Sequence, residues 1–182
     1  MELYTQAQDE FDTMLAAVPP DGWSRPSMCR EWTVRDVAGH VIWGQRQLHA
    51  WATGSPDPER DGAPGMPHPA VMAGDDPLST WRAVRTVPSD EELTRTVTIT
   101  GMGDIPVVAL LSLLVTDFTA HTWDIGHALG LPADLPEPLV TASFDWARTN
   151  MVRRAGYFGP ELAPPPDADD QTRMLAFLGR GA

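Results

Sequence analysis

At 182 residues, with 42% hydrophobic and 21% charged side chains, the chain has the makings of one globular domain, residues 1–182, and no room for a second catalytic one. Its net charge of −12 runs against the clustered Lys and Arg that phosphate backbones and anionic membranes require, so neither nucleic acid nor membrane is an expected partner. The same acidity keeps a protein soluble and draws cations to it.

Apolar residues at Leu3, Ala7, Phe11, Met14, Leu15 and Val18 follow the spacing of an amphipathic helix, stopped by Pro19-Pro20. Thr33 and Asp36 then form a capping box that opens a second helix, Val34 to about Ala52. Residues 53–77 are rich in Pro and Gly and read as a long loop, either an active-site cover or a disordered segment. A short third helix is expected from Pro77 to about Val87, and a small β-hairpin across Thr94–Thr100 and the Gly101-Met102-Gly103 turn.

Pro106 suits the start of a long apolar helix, Val107–Leu129, closed by Gly130. Its leucines Leu110, Leu111, Leu113 and Leu114 fit burial in a bundle or a homodimer contact equally. A fifth helix is expected over Glu137–Ala155, ended by Gly156, and a short last one over Gln171–Leu178 within a C-terminal extension, residues 160–182. The expected fold class is all-α: a four-helix bundle with a small β-hairpin insertion and a short C-terminal helix. Cys29, the single cysteine, makes no internal disulfide in a reducing cytoplasm and reads as a small buried packing residue, with a reactive thiol near a helix start as the other reading. The polar start Met1–Glu10 has no secretory pattern, and the longest apolar run, Ile105–Val115, is too short to span a bilayer, so a cytoplasmic location is expected.

Asp117 and His121 lie four residues apart, about 40° from each other on one helix face, so a carboxylate and an imidazole from successive turns can share one ligand. Such a pair is either a half-site for a divalent metal or a surface hydrogen bond. His40, inside the second helix, is the candidate third ligand. His68 in the loop is an alternative, His49 and His127 point elsewhere, and Asp36 is assigned to capping. Asp124, two turns after Asp117, returns to the same face and is placed to orient a ligand. Trp43 and Gln47 share the His40 face as candidate pocket residues, with core packing as the other reading of Trp43.

The segments Cys29-Arg-Glu-Trp-Thr-Val-Arg-Asp-Val-Ala-Gly-His40, Asp117-Phe-Thr-Ala-His-Thr-Trp-Asp124 and Phe158-Gly-Pro through Gly179-Arg180 resemble the actinobacterial branch of the DinB / mycothiol-dependent maleylpyruvate isomerase superfamily. The resemblance implies a DinB-like bundle holding a divalent metal, zinc first and nickel, manganese or iron as alternatives, on His40, Asp117 and His121. The isomerase carries Glu at the position of Asp117, one methylene longer, and some members carry an added C-terminal domain that this chain is expected to lack. The resemblance also implies mycothiol as a co-substrate thiol and a small electrophile as substrate, hence an isomerase or S-transferase. Two rivals remain at this level: a non-catalytic metal- or ligand-binding protein, and a hydrolase or lyase using metal-activated water with Asp124 or His127 as base.

Overall fold

The computed structural model describes all residues except 30, 101, 102, 152, 154–157 and 182. Helices α1 (Glu2–Ala17) and α2 (Val34–Thr53) come first, and the short α3 (Pro77–Val84) and α4 (Asp90–Leu93) lead into a hairpin of β1 (Thr96–Ile99) and β2 (Gly103–Pro106). Helices α5 (Val107–Leu129), α6 (Glu137–Asn150) and α7 (Asp170–Phe177) follow. The mostly helical bundle with a two-stranded antiparallel hairpin agrees with the fold class read from the sequence.

The helix limits have local causes. Thr33 accepts from the Asp36 N–H while the Asp36 carboxylate accepts from the Thr33 N–H, satisfying donors that the start of α2 leaves open. Gly130, at φ +67°, ends α5 in a left-handed turn that non-glycine residues seldom adopt. The hairpin pairs Thr96 with Pro106 and Ile99 with Gly103, so β2 runs directly into α5. Its turn residues Gly101 and Met102 lie outside the described residues.

Helix α5 packs against α1, α2 and α6 and forms the centre of the bundle. Phe11 of α1, Trp81 of α3 and Phe118 of α5 meet edge to face, with Trp81 centred 5.0 Å from Phe11 and 5.6 Å from Phe118. A second apolar cluster joins Trp123 of α5, Val140 of α6, and Met174, Leu175 and Leu178 at α7. Leu110, Leu111 and Leu114 are buried within the chain itself. No helix among the described residues is long and apolar enough to cross a membrane.

Three elements differ from expectation. Helix α3 stops at Val84, where Arg85 turns extended, three residues short of the expected end. The single turn α4 was not anticipated, although Ser89 and Glu92 form a capping box around it. Helix α6 ends at Asn150, short of the expected limit, where the side-chain amide donates to the Trp146 carbonyl and Met151 is extended. Ala155 and Gly156 lie outside the described residues.

The loop across residues 53–77 contains two 3₁₀ turns, Arg60–Gly62 and Pro69–Ala73, and it lies along α2. Asp36 Oδ1 accepts from the Ala70 N–H at 3.0 Å. Gly39 is what allows the close approach, since a Cβ there would come within 2.0 Å of the Pro69 carbonyl oxygen.

Candidate metal centre

Helix α5 presents Asp117 and His121 on consecutive turns, and α2 brings His40 to face them. Asp117 Oδ1 lies 3.4 Å from His121 Nε2 and 3.6 Å from His40 Nε2. A tetrahedral ion with bonds of about 2.0–2.2 Å places its ligand atoms about 3.3–3.6 Å apart, so these separations fit one divalent metal. All three donor atoms lie within 4.8 Å of one another.

The imidazoles are held from behind. His40 Nδ1 lies 2.7 Å from the Gly62 carbonyl oxygen, and His121 Nδ1 lies 2.8 Å from Asp124 Oδ2. Both partners only accept, so each Nδ1 carries a hydrogen, and in the neutral ring each Nε2 keeps its lone pair toward Asp117. A ligand histidine needs this tautomer. The sequence signal for His40 and His121 therefore acquires a second layer, half of it drawn from the loop backbone.

The electrostatics follow from burial and neighbours. Burial pushes the Asp117 carboxyl up, but the His121 and His40 imidazoles outweigh it and hold the group well below the usual carboxylate range. For His121, burial works downward and is overridden by Asp117, with Asp124 and Cys29 adding to the rise. Burial likewise pushes the Asp124 carboxyl up, but the Arg180 guanidinium and the His121 imidazole together outweigh it and hold the group below the usual carboxylate range. A half-buried carboxylate at the cavity floor, flanked by two imidazoles, is a donor set for which a cation is the natural complement.

Above these groups opens a cavity of about 1100 Å³. Its apolar wall includes Met28, Trp32, Met66, Leu113, Phe158 and Leu178, with Glu31, Arg153 and Arg180 as charged members. The Trp32 ring lies 5.1 Å from that of His40 and donates its Nε1–H to the Met66 carbonyl at 3.1 Å. Residues Pro64 to Pro67 of the long loop form one side of the cavity.

The remaining residues singled out from the sequence fall as follows. Asp124 is fully buried against His121. Trp43 stacks beside His40, with ring centres 6.3 Å apart, and packs under Gly62; Gln47 donates to Asp57 at 2.6 Å, and neither side chain lines the cavity. His127 is exposed and stacks on Trp123, His49 borders a separate hollow, and His68 precedes a 3₁₀ turn on the surface. Cys29 is only half-buried: it lines the cavity and its thiol donates to Asp124 Oδ2 at 3.4 Å, a contact that sequence spacing could not reveal. Arg180 was also missed, and its one sequence signal is the Gly179-Arg180 ending after an amphipathic helix.

A helical bundle with two histidines and a carboxylate facing a cavity defines a class, and the family follows from comparison. Residues 4–126 match the family described as Mycothiol maleylpyruvate isomerase N-terminal domain, and the chain belongs to it. The uncharacterized proteins MT0763 and Rv0738 of Mycobacterium tuberculosis, from strains CDC 1551 / Oshkosh and ATCC 25618 / H37Rv, are each 29% identical over 181 residues, covering 97% of this chain and 95% of theirs. The crystal structure of the mycothiol-dependent maleylpyruvate isomerase aligns with a TM-score of 0.52 at 16% identity, over 81% of this chain and 70% of that one. A histidine-to-alanine variant of that isomerase aligns over the same shares with a TM-score of 0.50 at 17% identity. These two likenesses establish the shared fold.

Proposed function

We propose that the chain is a divalent-metal-dependent enzyme that activates a small thiol, with mycothiol as the candidate co-substrate, for isomerisation of or S-transfer to a small electrophile. The observation that carries this reading is the convergence of His40 Nε2, His121 Nε2 and Asp117 Oδ1 at the floor of a cavity of about 1100 Å³, with both Nδ1 atoms already engaged. Zinc is the first candidate for such a borderline donor set, ahead of nickel, manganese or iron. When bound, the ion lowers the pKa of a thiol or water and polarises a carbonyl. Gly62 and Asp124 keep the two imidazoles aimed, each with its Nδ1 engaged and its Nε2 toward Asp117. Trp32, Met66 and Phe158 exclude water from one side. Residues 1–182 act as one unit in this reading, because Arg180 at the far end reaches back to Asp124.

Metal content tests it. Tag-free protein measured by inductively coupled plasma mass spectrometry is expected to carry about one divalent ion per chain, with His40→Ala, Asp117→Asn and His121→Ala each losing it. Mycothiol is then expected to raise the melting temperature of the metal-loaded protein. An ion-free wild type after incubation with zinc, nickel, manganese and iron salts overturns the metal reading, and a metal-loaded protein indifferent to mycothiol overturns the thiol assignment.

A further inference from the structure

We propose that Arg180 is a positioning residue for the metal centre, acting through Asp124 on His121; the inference rests on the metal reading above. Its Nε donates to Asp124 Oδ1 at 2.9 Å and its Nη2 to Asp124 Oδ2 at 2.7 Å, a two-pronged pair between largely buried side chains. Asp124 Oδ2 is also the atom that holds His121 Nδ1. A carboxylate held only by an imidazole can rotate and exchange its two oxygens. A planar guanidinium gripping both oxygens from the opposite side fixes the carboxylate plane. With that plane fixed, the His121 ring is fixed too, and its Nε2 stays directed at Asp117 Oδ1.

The tail is shaped to deliver this side chain. Met174 and Leu175 anchor α7 in the second apolar cluster. Gly179, at φ +82°, then reverses the chain: its N–H bonds to the Ala176 carbonyl at 3.0 Å and the Arg180 N–H to the Leu175 carbonyl at 2.9 Å, the two-bond glycine cap of a helix end. A Cβ on Gly179 would stand 2.9 Å from the Pro160 carbonyl, so the turn lies flush against the preceding segment. Arg180 Nη1 donates to the Leu178 carbonyl at 3.1 Å, which leaves Nε, Nη1 and Nη2 all committed inside the protein. An arginine bound in this way is built to hold Asp124 rather than to capture a substrate anion.

Zinc alone serves as the probe, competed between the full-length protein and a chromophoric chelator. Arg180→Gln is expected to weaken zinc binding about 10- to 100-fold, the usual cost of removing support behind a metal ligand, and to shift the visible bands of the cobalt-substituted protein. Arg180→Lys, which keeps the charge but not the fork, recovers only part of the loss. Arg153→Gln is the control: Arg153 donates to the carbonyls of Gly159 and Phe177 and so ties down the tail without touching Asp124, and its zinc affinity is expected to stay within about threefold of wild type. Equal zinc affinity in Arg180→Gln and wild type overturns the proposal, as does an Arg153→Gln protein as impaired as Arg180→Gln, which would assign the effect to tail docking. If Arg180→Gln does not fold, Arg180→Lys carries the test, and wild-type affinity in that variant overturns it. A wild-type protein that takes no zinc defeats the metal reading and this inference together, whereas zinc binding indifferent to Arg180 defeats this inference alone.

Discussion

Gly39 sits one residue before His40 at a point where the loop presses its backbone onto α2. A methyl group there would meet the Pro69 carbonyl oxygen at 2.0 Å, too close for a small adjustment to relieve. Gly39→Ala is therefore expected to destabilise the protein by about 2 kcal/mol in urea unfolding, the usual range for forcing atoms into a packed site. Zinc affinity should fall with it, since the displaced loop also carries the Gly62 carbonyl behind His40. At this scale the sequence is legible where contacts are local. Asp117, His121 and Asp124 share one helix face and are read from their spacing. The Gly62, Arg180 and Cys29 contacts span 22, 56 and 95 residues, and no periodicity connects positions so far apart.

Between elements, charge ties the edge of the bundle. Arg82 of α3 bonds both carboxylate oxygens of Asp12 on α1, and Arg85 reaches Asp9 one turn earlier. The hydrogen bond from Arg82 holds the Asp12 carboxyl below its ordinary value. A group whose folded pKa is depressed contributes its stability above the unfolded pKa, about 3.9 for Asp, and loses it as pH falls through the folded value. Asp12→Asn should thus lower the urea midpoint modestly at pH 6, and the gap from wild type should close as the pH falls below the ordinary Asp range; a gap that persists in strong acid would mean the pair acts through packing. Raising salt should narrow it too, because the Arg82 side chain is half exposed. Legibility at the element scale follows the chemistry of helix ends. The Thr33 and Asp36 box and the Gly130 stop are visible in the sequence and present in the structure. The end of α6 was overrun because Met151 continues the apolar spacing, while the Asn150 amide that closes the helix has no distinctive signature mid-sequence.

Over the whole molecule, the bundle was readable because three long segments carry clear helical periods and a fourth is long and strongly apolar in its first half. How the tail docks was not, since α7 is short and its partners, Trp123 and Val140, belong to other helices. A metal that binds only the folded chain adds to global stability by mass action, about 2.7 kcal/mol when free ion is a hundred times its dissociation constant. Removing the ion with a chelator is therefore expected to lower the melting temperature by several degrees in wild type and not in His121→Ala. A chelator-insensitive wild type would mean that the site adds nothing to folding. The loop between α2 and α3 contributes the Gly62 carbonyl behind His40 and, within five residues, the cavity wall at Pro64 and Met66. One stretch of backbone thus reports to both, so on the proposed metal reading a guest that shifts the wall would also retune the grip on the ion. By thermodynamic reciprocity, loading the ion must change the affinity for that guest by the same factor.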